Sequence, residues 1–377
     1  MSLAAGTRGG AWNRPLTRVV LHIGGEATGT TSLQASLAAN SRALFAGTGF
    51  LYPVSAPFID NRAHFPLAAA FVDRTRSNFI RMDQLRPAAV LRQALASLVA
   101  RERPGVVAFS AEHFSSRYGP AEIAKLAEFL SPHPVTIVFY VRAQDELALS
   151  AYSGGLMAGE RGWFHYNAVR GEDRYFNHCL VADDWAAVFG AENLRVRPYS
   201  QFAADGLVRD FLVQAGVSDP PPLPAVPRLR QSMSIFEARL IHALNQELPT
   251  WQEALAAGDE GRYRRAEAVR NTLLRIFRES GRAPESRSIH ELIGPAERGE
   301  IIQRFESGNR ALAEKYGVQI ARAQETGYAA GERLVAYFPS RILIALIAEI
   351  LGQMKANEEA SRAPRRGLRA LVGRLLR

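Results

Sequence analysis

One cysteine, Cys179, occurs in 377 residues. That excludes an intramolecular disulfide and any metal site built from several thiolates, and it suits a reducing compartment. Long apolar runs are also missing. A membrane-crossing helix needs roughly 18 apolar residues; the longest candidate, Ile342 to Leu351, is far shorter and carries Glu349. The first stretch, residues 1–17, is small and polar, without the apolar core of a signal peptide, and is expected to be disordered. The expected compartment is therefore the cytoplasm. There are no internal repeats and no nucleic-acid-binding motif, so DNA and RNA are not expected as partners. Acidic residues are absent from Arg362 onward, where six arginines stand.

Apolar residues make up 47% of the chain and charged residues 22%, ordinary values for a globular protein with a sizeable core. The net charge of +9 comes mostly from arginine, whose planar fork matches phosphate and sulfate oxygens. The basic end has two readings. One is a solvated tail; the other is a helix over Leu334 to Met354, followed by arginines, resting on the anionic inner membrane surface.

Short apolar runs alternate with helical patterns. Arg18 to Ile23, Val106 to Phe109, Val135 to Val141 and Leu194 to Val196 read as buried strands. Helices are expected from Thr30 to Ala39 and over about 86–101, 120–131, 143–158 and 180–189. This alternation predicts an α/β fold: a central parallel sheet with helices on both faces. The proline-rich stretch Ser218 to Pro227 reads as an irregular connector. The domain is expected to span 18–320, its 218–320 portion mostly helical, with a C-terminal helix and basic tail over 321–377.

Between the first strand and the first helix lies Gly24-Gly-Glu-Ala-Thr-Gly29-Thr30-Thr31, with the G-x4-G spacing of a phosphate loop. Strand before and helix after give the spacing its meaning: glycines let backbone N–H groups approach a phosphate, and the helix start adds its positive dipole end. Thr28, Thr30 and Thr31 add hydroxyl donors. A nucleotide triphosphatase would carry Lys where Thr30 stands, which argues against a P-loop kinase.

His22-Ile-Gly24 with Thr28-Gly-Thr-Thr-Ser-Leu-Gln34 resembles the 5′-phosphosulfate loop of the bacterial sulfotransferases that use 3′-phosphoadenosine 5′-phosphosulfate (PAPS). The resemblance implies that Gly24, Thr28, Gly29, Thr30, Thr31 and Ser32 grip the phosphosulfate, and that sulfuryl passes in line to an acceptor hydroxyl or amine, leaving 3′-phosphoadenosine 5′-phosphate (PAP). No metal is required by that chemistry. The acceptor implied is a saccharide or another small hydroxylated metabolite. Tyr140-Val-Arg142 followed by Ser150 is similar to the family's 3′-phosphate strand and helix, which makes Arg142 and Ser150 the second anchor.

The resemblance extends more loosely over about 18–320. Ser110-Ala-Glu112 resembles a segment at a strand's end; Glu112 has two readings, the base that takes the acceptor proton, or a group that orients a partner or caps a helix. His64 lies where the family carries a histidine facing the acceptor; the other reading is a surface-loop histidine. His22, inside an apolar strand, reads as core. Arg228 or Arg230 stands where a family loop returns to the nucleotide, and Phe305 to Tyr316 with Asn309 is similar to the closing helix. One departure stands out: the family's loop lysine is replaced by Ala27, preceded by Glu26. That lysine stabilises the leaving phosphate oxygen, and losing one such donor costs about 3–4 kcal/mol, so binding without much turnover is the competing expectation.

Overall fold

The computed structural model describes residues 16–72, 85–202, 204–224, 232–279 and 287–320. Arg228, Arg230, the first fifteen residues, and the expected C-terminal helix and basic tail lie outside the described residues. In chain order the elements are β1 (Arg18–Gly24), α1 (Thr30–Thr48), β2 (Phe50–Leu51), α2 (Phe65–Ala69), α3 (Ala88–Glu102), β3 (Val106–Ser110), α4 (His113–Arg117), α5 (Pro120–Leu130), β4 (Val135–Val141), α6 (Gln144–Met157) and α7 (His178–Phe189). Then follow β5 (Leu194–Pro198), α8 (Ala204–Gln214), α9 (Ile235–Glu247), α10 (Trp251–Ala256), α11 (Glu260–Glu279), α12 (Pro295–Arg304) and α13 (Glu306–Tyr316).

The strands form one sheet in the order β2-β3-β1-β4-β5, every pairing parallel. β1 is central, with Arg18 opposite Val106 of β3 and Val19 opposite Val135 of β4. Because side chains alternate across a strand, Val19, Leu21 and Ile23 face a core with Leu91, Ile123, Leu126 and Trp185, whereas Val20 faces Leu33 and Leu37 of α1 and Phe211 of α8. Each such buried aliphatic side chain contributes about 1.5–3 kcal/mol relative to exposure. Helices thus cover both faces, as the unbroken apolar strands predict.

The strand order places a switch point at the middle of the sheet. The connection leaving β1 leads toward β2 on one side, and the connection leaving β4 leads to β5 on the other. Their carboxyl ends therefore open a crevice, the usual ligand position in such sheets. β1 pulls away from the β4 register between His22 and Gly24, where the strand becomes the glycine loop.

The later helices build on α6. Tyr152 and Leu156 of α6 pack with Ala238 and Ile241 of α9 and Leu274 of α11, and Ala148 and Leu149 pack with Ile301 and Phe305. Leu312 of α13 then returns to the sheet core. A capping box starts α9: Glu237 N–H donates to Ser234 Oγ at 3.1 Å, and Ser234 N–H donates to Glu237 Oε2 at 2.7 Å. Among the described residues no helix is long and apolar enough to cross a membrane, and no group of three or more His, Cys, Asp or Glu side chains is arranged to hold a metal ion.

Candidate functional site

The loop after β1 presents an unusual run of backbone donors. Gly29 (φ 74°) stands at the N-cap of α1, and no side chain caps the helix. Ser32 N–H is the first at this junction to reach a backbone acceptor, donating to Gly29 C=O at 3.0 Å. A turn spans Glu26 and Ala27, and no N–H of residues 26–31 makes a short, well-aligned hydrogen bond to a carbonyl or side chain among the described residues. A helix start with uncapped donors is an anion site in waiting. The hydroxyls of Thr28 and Thr30 turn inward instead: both donate to Gly25 C=O, at 2.6 and 3.4 Å, and both are buried. They stiffen the loop. Thr31 and Ser32 remain half-buried at the helix start.

Close approach explains the first two glycines. A Cβ on Gly24 would stand 2.6 Å from Glu112 Cα, and one on Gly25 would stand 2.2 Å from Tyr140 C=O. The loop is therefore wedged between the ends of β3 and β4. Ala27 has φ 62°, left-handed for a residue with a Cβ, and its methyl is exposed.

Arg142, at the end of β4, reaches this loop directly. Its Nη1 donates to Ala27 C=O at 2.7 Å and lies 3.4 Å from Ser150 Oγ. Its Nε and Nη2 donate to Glu146 Oε2 at 3.1 and 2.6 Å, and its guanidinium sits 5.8 Å from the centre of the Tyr199 ring. The strand–helix step from Arg142 to Ser150 thus brings both side chains beside the loop. His178 supports it from below: its Nε2 donates to Arg142 C=O at 2.8 Å, and burial lowers its pKa to about 4.

Glu112 occupies the position just before α4, without a side-chain hydrogen bond that caps the helix, and lies next to Gly24, half-buried. Gln34 Nε2 of α1 donates to Glu112 Oε2 and to Ser110 Oγ, both at 3.2 Å.

His64 is not where an acceptor would find it. The imidazole expected at the surface or facing substrate is fully buried, beside Tyr52 and Phe109. Its Nδ1 accepts the Ser110 N–H at 3.0 Å, so the ring proton resides on Nε2, which donates to Pro53 C=O at 2.9 Å. Both nitrogens are engaged, and burial lowers the pKa to about 4. His64 fixes the end of β3. His22 is core, as expected: it is fully buried, its Nδ1 lies 2.7 Å from Ser110 Oγ, and burial lowers its pKa to about 3.

Glu26 points away from the loop's donors. Its Oε2 accepts the Tyr175 hydroxyl at 2.8 Å, and its Oε1 lies 3.9 Å from Arg117 Nη2. Neither Tyr175 nor Arg117, nor the supporting His178, is marked in the sequence by any motif; Tyr175 and Glu26 are 149 residues apart.

No family model matches the chain, and no curated protein matches it. A solved structure that is similar is a crystal structure of a sulfotransferase from Alicyclobacillus acidocaldarius, at 19% identity, covering 67% of this chain and 99% of that one, with a TM-score of 0.36.

Proposed function

We propose that this protein transfers a sulfuryl group from PAPS to a hydroxyl or amine of an acceptor, a saccharide or another small metabolite. The observation that carries the reading is the row of uncapped N–H groups over residues 26–31 at the sheet's switch point, with Arg142 and Ser150 beside it. Those donors suit the 5′-phosphosulfate, with Thr31 and Ser32 adding hydroxyls. Arg142 and Ser150 suit the 3′-phosphate, because a guanidinium fork matches phosphate oxygens. Docking that phosphate requires Arg142 to exchange its hold on Glu146 for the ligand.

In the reaction the acceptor oxygen attacks sulfur while the bond from sulfur to the phosphate oxygen breaks. The acceptor proton passes to Glu112, and PAP leaves. Glu112 takes this role because it lies at the loop with its carboxylate held by Gln34, whereas both nitrogens of His64 are occupied. His64 acts on the site only by positioning Ser110. A second reading, nucleotide binding with little turnover, rests on Ala27, which puts a methyl where a cation would meet the leaving oxygen.

Thermal unfolding and calorimetry test the binding half. PAP should stabilise the protein without Mg²⁺ and AMP much less, and Arg142→Ala should weaken PAP by about 1.5–3 kcal/mol, the scale of a hydrogen bond to a charged group. Equal stabilisation by AMP, or a strict Mg²⁺ requirement with ATP, contradicts the reading.

A further inference from the structure

A free carboxylate at position 26 is a hazard to the proposed site. The side chain springs from the first residue of the uncapped donor row. Backbone N–H groups at a helix start attract a nearby anion, and Glu26 belongs to the loop itself. Folded over the loop, its carboxylate would occupy the donors and repel any incoming phosphate. The structure instead gives Glu26 two other partners. Tyr175, from the segment preceding α7, donates its hydroxyl to Oε2 at 2.8 Å, and Arg117, at the end of α4, stands 3.9 Å from Oε1. The two partners come from different connections of the sheet, β3 to β4 and β4 to β5, and converge on one side chain.

We infer that Tyr175 and Arg117 form a clasp that holds the Glu26 carboxylate off the loop and so keeps the backbone donors open for an anionic nucleotide. Both are positioning residues: they act through Glu26 and touch no ligand. The clasp rests on the proposed reading of the loop as the phosphosulfate site. Tyr175 is suited to it because burial, and next the charge of Glu26, push its hydroxyl well above the ordinary tyrosine range. It therefore stays a donor throughout the neutral range. The clasp also makes sense of a sequence that places an acid inside a phosphate loop: the acid is spent on the protein and not on the ligand.

The test is a double-mutant cycle on the full chain, with PAP as the probe and calorimetry at one salt concentration and neutral pH. Tyr175→Phe keeps the ring and deletes only the donor. It should raise the PAP dissociation constant about tenfold to a hundredfold, the range for releasing a hydrogen bond to a charged group. Glu26→Gln alone should leave affinity unchanged or improve it. In the Tyr175→Phe, Glu26→Gln double variant, affinity should return to the Glu26→Gln value, because there is no longer a charge to restrain. Arg117→Gln, with and without Glu26→Gln, repeats the cycle from the other partner and serves if Tyr175→Phe does not fold. Affinity within twofold of wild type in both single variants overturns the clasp while leaving the PAP site standing. A loss that persists in the double variants also overturns it, since the residues would then act by packing. Failure of the wild-type protein to bind PAP overturns the reading of the loop, and the clasp with it.

Discussion

His22, His64, His178 and His290 share an unusual condition: burial lowers the pKa of each from 6.5, to about 3 for His22 and about 4 for the other three. The folded protein keeps them neutral where the unfolded chain protonates them. Their contribution is complete above about pH 6.5 and is lost as pH falls toward 4, because in that window the unfolded state binds more protons. Asp145 and Glu160, whose pKa values are raised by burial, act in the opposite sense but are fewer. The melting temperature should therefore fall markedly between pH 7.5 and pH 5; a flat profile contradicts the buried neutral imidazoles. At this scale the sequence is a partial guide. His22 is legible as core because its neighbours in the strand are apolar. His64 is not, because the groups that bury it, Tyr52, Pro53 and Phe109, come together only in the fold. Glu26 misleads for the same reason: its partners lie on distant connections.

The element that links the sheet to the later helices is α6. Its first turn carries Asp145, whose side chain is fully buried and paired with Arg298 of α12 at 2.6 Å. Beside it Gln144 and Asn309 exchange amide hydrogen bonds at 2.7 and 3.1 Å. These contacts fix the start of the helix that bears Glu146 and Ser150, so the helical portion sets the geometry of the proposed 3′-phosphate anchor from outside the sheet. Arg298→Ala should destabilise the protein by about 3–5 kcal/mol, since it strands a carboxylate in the interior. Asp145→Asn in the same chain should recover much of that. Urea denaturation checks both, and a loss under about 1 kcal/mol for Arg298→Ala contradicts a paired buried charge. The long apolar strands and most of the helices between them are legible from periodicity, with boundaries shifted by a residue or two. β2 is not: it is two residues long, too short for any alternation to register. α1 runs nine residues past its expected end at Ala39, to Thr48, where Gly49 (φ 70°) closes it by donating to Phe45 C=O.

For the whole molecule, strand order decides where chemistry gathers. A loop with glycines, an arginine at a strand end and an acid after another strand are scattered over more than a hundred residues, and the switch point brings them to one crevice. Their types and order can be read in the sequence; the hold of Glu146 on Arg142 and of Tyr175 on Glu26 cannot, because both depend on tertiary placement. In the proposed reading, what the crevice accomplishes turns on Ala27, an exposed residue at the position where the resemblance implies a lysine. The left-handed backbone there burdens Lys no more than Ala, so Ala27→Lys should fold. Single-turnover transfer from labelled PAPS to a panel of hydroxylated and amine acceptors, run on wild type and Ala27→Lys, tests the sulfuryl-transfer reading most directly. Slow transfer by wild type is expected, and a gain of up to about 10²–10³-fold in the variant, appearing in kcat because the charge on the leaving oxygen grows toward the transition state. No transfer by either protein, in spite of tight PAP binding, would contradict it.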